Sequence, residues 1–248
     1  MTQPDHASPG HELVPAARRP AALIVIGLCV ITVCVIGAVV ANGSTPTGLD
    51  TAVWNALPYP WAPGGQFGHQ ATLLQYLNTI RQLGGPIPVI FLTALLCYCC
   101  LAMRRYRGAL MLAAGEIGAS AFTEVTKPLF NRTIGGSLSY PSGHTTAAFA
   151  LAIGVVLLLA FPPDNRMPAS LRVVLSLVAV GTATLVAIGM VAWHQHYFTD
   201  TIGGAAVGTG ATLAAALAID YVADRRRRTA APAPAAQPEQ PSEVAQLS

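Results

Sequence analysis

The chain has 248 residues; 53% are hydrophobic, only 10% are charged, and the mean hydropathy is +0.52. A soluble domain carries about a quarter charged residues, so this composition excludes a soluble globular domain, and equally a disordered chain, a coiled coil or a disulfide scaffold. The five cysteines, Cys29, Cys34, Cys97, Cys99 and Cys100, all fall inside apolar runs, where cysteine behaves as a small hydrophobe. What remains is a polytopic membrane protein.

Residues 1–19 read as a tail ending in Arg18 and Arg19. From Pro20 to Leu49 there is no charge, and about 20 apolar residues cross a hydrocarbon core, so a first span is expected from Ala21 to Ala41. Its core is too long for a cleaved leader, and no cleavage site follows. Residues 43–69 are rich in Gly, Pro and aromatics and read as an irregular interfacial segment. Leu73, Leu74, Leu77, Ile80 and Leu83 recur at helical spacing between polar residues, which predicts a short amphipathic helix lying on the membrane. Together residues 43–85 form an interfacial insertion. Further spans are expected from Pro86 to Met103, Ala109 to Lys127, His144 to Phe161, Val173 to Trp193 and Thr201 to Ala223. The expected fold class is therefore all-α, with six transmembrane helices in a domain over 20–223. Residues 224–248 read as a basic, then disordered tail.

The net charge is +3, and its placement matters more than its size. Six spans put Arg18, Arg19, Arg104, Arg105, Arg107, Arg166, Arg172 and Arg225 to Arg228 at one membrane face, and Arg81, Lys127 and Arg132 at the other. The Arg225–Arg228 run follows an apolar stretch directly and marks a membrane edge rather than a nucleic-acid site. The positive-inside rule puts the first group, and both termini, in the cytoplasm, and predicts a multi-pass plasma-membrane protein.

Span parity alone brings three distant places to the extracytoplasmic surface. Pro141-Ser142-Gly143-His144 enters a helix N-terminus, whose free N–H groups and positive dipole end suit a phosphate. His144 is placed to protonate a leaving oxygen. His196 and Asp200 stand at i and i+4, so the carboxylate can fix the imidazole tautomer and leave the other nitrogen to attack. Lys127, the only lysine, sits at the membrane edge with Glu124 at i−3 and Arg132 five residues on. Each element alone also has a structural reading: a serine cap beside an interfacial histidine, a His–Asp pair, a snorkelling lysine. Their joint placement describes an anion site.

These motifs resemble those of the type 2 phosphatidic acid phosphatase superfamily, the membrane relatives of the vanadium haloperoxidases. That family carries K-x(6)-R-P, then P-S-G-H, then S-R-x(5)-H-x(3)-D. Here P-S-G-H is intact at 141–144, H-x(3)-D is intact at 196–200, and Lys127 matches the first lysine. The resemblance covers roughly residues 20–223 and implies a helical bundle that needs no metal or other cofactor. It implies that His196 takes the phosphoryl group as a phosphohistidine, that Asp200 orients it, and that His144 protonates the leaving alcohol. Lys127, Ser142 and Gly143 would hold the phosphate. The substrate implied is a membrane lipid phosphate, polyprenyl or glycerolipid, carrying a monoester or a pyrophosphate.

The sequence departs from the pattern at four slots. The arginine and proline of the first motif fall on Ile134 and Gly135, and the Ser-Arg of the third on Gly189 and Met190. Arg132 is expected to replace the first arginine at the phosphate; His194, four residues after Met190, reads as an interfacial histidine, with a partial substitute role for the second arginine as the alternative. The alternative is a non-catalytic lipid-phosphate binder that keeps the fold. A transporter has only the intramembrane Glu116 in its favour, and a haloperoxidase would need a fuller anion pocket. The partners expected are the bilayer and its lipid phosphate, not nucleic acid. The Arg-over-Lys bias and alanine richness suit a bacterial chain.

Overall fold

Apolar runs of 17 to 33 residues become helices because only a helix satisfies every backbone group within one segment in lipid. The computed structural model describes residues 12–57, 68–162 and 167–230. Among these are eight α-helices: α1 (Arg19–Val40), α2 (Gly48–Ala56), α3 (Gly68–Arg81), α4 (Pro86–Ala102), α5 (Tyr106–Phe130), α6 (Gly143–Ala160), α7 (Ala169–Ala192) and α8 (Phe198–Ala230). The only strands among the described residues are a two-stranded antiparallel pair, β1 (Thr133–Ile134) and β2 (Ser137–Leu138).

The six expected spans correspond in order to α1, α4, α5, α6, α7 and α8. Four of them, α1, α6, α7 and α8, are individually long and apolar enough to cross a membrane. α4 reaches that length only together with Thr72–Gly84, across a 60° bend. α5 does not pass on composition, because Arg107, Glu116, Glu124 and Lys127 dilute it. Its membership of the bundle comes from packing against α4, α6 and α8.

α8 is the central element and packs on α1, α5 and α6. Small residues allow the approach. A Cβ on Gly204 would stand 2.5 Å from the Ser142 carbonyl oxygen, and one on Gly208 would stand 2.3 Å from that of Thr146. Met111, Leu112, Leu157, Leu158 and Ala216 form one buried cluster, and Val33, Ala119, Tyr140, Ala150 and Val207 a second. The outward faces stay apolar, with Leu23, Ile24, Leu28 and Ile31 of α1 and Ile87, Ile90 and Phe91 of α4 all exposed. Exposed apolar faces of this extent suit lipid.

At the arginine-rich end, Asp220 accepts the backbone N–H groups of Leu13 (3.1 Å) and Val14 (2.8 Å) and pairs with Arg107. Arg19 pairs with Asp224 at 2.8 Å. α8 runs to Ala230, so the Arg225–Arg228 run is helical. Residues 231–248 lie outside the described residues, as do 1–11, 58–67 and 163–166.

One expectation for the 43–85 insertion is corrected. Its first part is not irregular: Thr47 and Asp50 form a capping box that starts α2, with Thr47 Oγ1 accepting the Asp50 N–H and Asp50 accepting the Thr47 N–H. The expected amphipathic helix is present as α3, and part of its apolar face turns to the protein. α3 packs along α7, burying Leu74 and Leu77, and the Trp193 indole N–H donates to the Leu74 carbonyl at 3.1 Å. A 3₁₀ turn over Gln82–Gly84 then leads into α4.

Candidate active site

Three helix ends and one loop build the site. α5 continues one residue beyond Pro128 and Leu129 to Phe130 and is capped by Asn131 in the left-handed region (φ 48°). Lys127 therefore sits in its last turn, where Nζ lies 2.6 Å from the Glu124 carboxylate. Glu124 is 70% exposed, so this pair is open to water and adds little stability.

The β1–β2 hairpin follows. Gly135 and Gly136 take φ of +56° and +83° at its tip, which is the two-residue turn that needs positive φ at both central positions. The slots where the first motif's arginine and proline fall are thus a strand end and a turn. Ser139 closes the hairpin by donating its N–H to the Arg132 carbonyl at 2.8 Å. After a cis Tyr140–Pro141 peptide, Ser142 caps α6: its Oγ accepts the Thr145 N–H, and its own N–H donates to the Asp200 carbonyl at 3.0 Å. Gly143 and His144 are the first two residues of α6. A Cβ on Gly143 would lie 3.8 Å from Lys127 Nζ, so the lysine reaches over the open helix N-terminus.

His196 lies in the turn that precedes α8, and Asp200 in the first turn of α8. Asp200 is fully buried; its Oδ2 accepts the Tyr197 N–H at 3.0 Å and lies 3.5 Å from His196 Nδ1. That separation is longer than an N–H···O hydrogen bond, and Nδ1 is buried without another partner. Such contacts commonly tighten only when substrate binds. His196, Arg81 and Lys127 all lie within electrostatic reach of His144. The structure therefore gathers Lys127, Ser142, Gly143, His144, His196 and Asp200 around one place.

Arg132 departs from expectation. Its side chain is 1% exposed, and both terminal nitrogens of its guanidinium are engaged inside the protein. Nη2 donates to Asp50 Oδ2 at 2.7 Å, and Nη1 donates to Asp200 Oδ1 at 2.8 Å and to the Thr199 hydroxyl. The Tyr197 ring covers it, with Cζ 4.1 Å from the centroid. Both terminal nitrogens are taken by Asp50, Asp200 and Thr199, while Nε is buried without a partner, so the guanidinium forms a bridge between two buried carboxylates. His194 also turns elsewhere: its imidazole stacks on Trp54 of α2, centroids 4.3 Å apart and planes 6° off parallel.

Asp50 is the site residue that sequence reasoning missed. It is fully buried and accepts from Arg132, from the Thr199 N–H at 2.8 Å and from the Thr199 and Thr47 hydroxyls. Burial works against its charge, but these N–H donors and the guanidinium outweigh it and hold the carboxyl below its ordinary value. A signal existed: Asp50 is the sole acid between Glu12 and Glu116. Its Thr47-x-x-Asp50 spacing disguised it as a plain helix cap.

One turn along α6 from His144, an apolar cavity of about 250 Å³ opens between α4, α6 and α7, lined by Leu83, Val89, Leu96, Ala148, Val155 and Val186 among others. Among the described residues, no group of three His, Cys, Asp or Glu is placed to hold a metal ion.

No curated protein matches the sequence significantly. Among solved structures, the crystal structure of the first transmembrane PAP2 type phosphatidylglycerolphosphate phosphatase from Bacillus subtilis is similar, with a TM-score of 0.58 at 18% identity, covering 83% of this chain and 97% of that one. At that identity the likeness speaks for the fold. A family model described as the PAP2 superfamily matches residues 89–224, more than half of the chain and every residue of the candidate site except Asp50, and on that match the chain belongs to the PAP2 superfamily.

Proposed function

We propose that the protein is a lipid-phosphate phosphatase that hydrolyses a phosphomonoester or pyrophosphate of a membrane lipid through a phosphohistidine. The observation that carries this reading is the convergence of His196, Asp200, His144 and Lys127 on the open N-terminus of α6. His196 Nε2 attacks phosphorus and forms an N–P bond as the P–O bond to the lipid breaks, and His144, protonated, gives its proton to the leaving oxygen. Water then attacks the phosphohistidine, with neutral His144 taking a proton, and orthophosphate leaves with His196 restored. Lys127, the Gly143 N–H and the Ser142 hydroxyl hold the phosphoryl oxygens.

In this reading Arg132 acts as a positioning residue. It fixes Asp200, which in turn orients His196, and does not touch substrate. The apolar cavity below His144 supports an acyl or prenyl chain as the substrate's tail. The basic end of the bundle, opposite the site, supports a cytoplasmic placement of both termini and an extracytoplasmic site in the plasma membrane.

A second reading, a non-catalytic lipid-phosphate binder, is favoured by the apolar residues Ile134 and Met190 at the arginine slots and by the 3.5 Å His196–Asp200 separation. The deciding experiment is phosphate release by the purified full-length protein from polyprenyl and glycerolipid phosphates, phosphatidylglycerolphosphate among them, with His196→Ala as control. Release that His196→Ala abolishes supports the phosphatase; lipid-phosphate binding without release supports the binder.

A further inference from the structure

Arg81 ends α3, and the chain that follows it is pressed onto His144. A Cβ on Gly84 would stand 2.7 Å from the His144 carbonyl oxygen, and one on Gly85 would stand 3.6 Å from His144 Nε2. On its other side α3 fits a notch in α7. A Cβ on Gly189 would stand 2.7 Å from the Leu77 carbonyl oxygen and 2.9 Å from Arg81 Cβ. The glycine that replaces the third motif's serine is therefore what admits α3. The Met190 side chain beside it is 2% exposed and apolar.

The guanidinium is oriented but not neutralised. Nε donates to Asn78 Oδ1 at 2.9 Å, and Cζ lies 5.4 Å from the Trp193 ring centroid. Arg81 is half-buried, and among the described residues no carboxylate offsets its desolvation. The acids at this end are all engaged elsewhere: Asp50 and Asp200 by Arg132, Glu124 by Lys127. A partly desolvated cation without a counterion is costly unless an anion visits it. With Nε held by Asn78, its two terminal nitrogens are left as a fork, the geometry that suits two phosphoryl oxygens.

We infer that Arg81 is a phosphate-binding residue of the site, supplying from α3 the guanidinium that the sequence lacks at Met190. The inference rests on the lipid-phosphate reading of the site and adds to it a ligand from outside the matched family segment. It makes the α3–α4 turn part of the anion pocket rather than a lipid-facing elbow.

Two measurements on the full-length protein in nanodiscs test it. First, Arg81→Met keeps the aliphatic packing and removes the charge; kcat/KM should fall about 10²-fold or more, as on loss of one charge-assisted contact to a transition state. Arg81→Lys should recover only part, and Arg104→Met, at the other end of the bundle, should stay within about threefold of the parent. Second, inorganic phosphate should protect Arg81 of the unaltered protein from an arginine-selective dicarbonyl reagent, read by mass spectrometry of the peptide. Labelling of Arg81 that phosphate leaves unchanged would overturn the inference, even if Arg81→Met lost activity, since that loss would then be structural. If no substrate is hydrolysed, the phosphatase reading fails while protection still decides the role of Arg81. If hydrolysis occurs and Arg81→Met is neutral, the phosphatase stands and Arg81 does not.

Discussion

The Asp50 carboxylate lies 2.7 Å from one end of the Arg132 guanidinium, whose other end lies 2.8 Å from Asp200. One buried cation thus links α2, a nine-residue helix outside the spans, to the acid beneath His196. The two carboxylates and the guanidinium exclude water from each other, so their strength depends on all three staying together.

Removing the cation is expected to be costly. Arg132→Ala leaves two buried carboxylates without a counterion and should lower stability by about 3–5 kcal/mol. In preparations that remain folded, kcat should fall while KM for the lipid changes less than about threefold, because the effect reaches the reaction through the orientation of His196. Thermal unfolding in detergent and steady-state kinetics check both parts. A KM effect larger than the kcat effect would return Arg132 to the phosphate.

Asp50 makes a prediction about acid. Its carboxyl is held below its ordinary value, so the folded protein binds its proton more weakly than the unfolded chain does. The stabilisation is complete above the unfolded value of about 3.9 and is lost as pH falls through the lower folded value. Asp50→Asn should be less stable than the parent at neutral pH, with the gap narrowing below about pH 4. Melting temperatures across pH 3 to 7 measure it; a gap that widens in acid would contradict the assignment.

The covalent step is expected at His196. Rapid quench with labelled lipid phosphate should trap an acid-labile, base-stable adduct on the peptide that contains His196. Trapping on the peptide that contains His144 would reverse the two histidine roles. His144→Ala should depress turnover of lipids with poor leaving groups more than that of substrates with good ones, because a good leaving group needs little protonation.

Two glycines separate helix packing from helix propensity. Gly208→Ala puts a methyl 2.3 Å from the Thr146 carbonyl oxygen and 2.7 Å from the Ala150 nitrogen, so α6 and α8 must part; a loss of about 1–3 kcal/mol is expected. Gly181→Ala meets nothing within 4 Å and should be neutral or slightly stabilising. Thermal unfolding of the two variants in one detergent compares them directly.

Much of the architecture was legible because hydrocarbon imposes its own pattern. The α1, α6, α7 and α8 runs read as spans from length and apolarity alone, and span parity brings Lys127, His144, His196 and Asp200 to one end. The rest depended on pairings that composition does not encode. α2 looked irregular because its start signal, Thr47 and Asp50, lies among glycines and prolines. Arg132 looked like a ligand because a sequence shows charge but not which way a side chain turns, and its partners Asp50 and Asp200 are 82 and 68 residues away. Arg81 was visible only as one of three basic residues at that end; the notch at Gly189 that brings it close is a property of two helices together.

The link from Asp50 to Thr199 spans 149 residues and gives the site a place in time. A chain leaves the ribosome from its N-terminus, so Asp50 and Arg132 are made long before the helix that holds their partners. Until α8 arrives they must wait at the aqueous surface, because neither charge can enter lipid cheaply. The arrival of α8 closes the ionic bridge, seats Asp200 behind His196 and fills the centre of the bundle. A nascent chain stopped before Tyr197 lacks both Asp200 and Thr199, so the bridge that gathers the candidate site is complete only once α8 has joined the bundle.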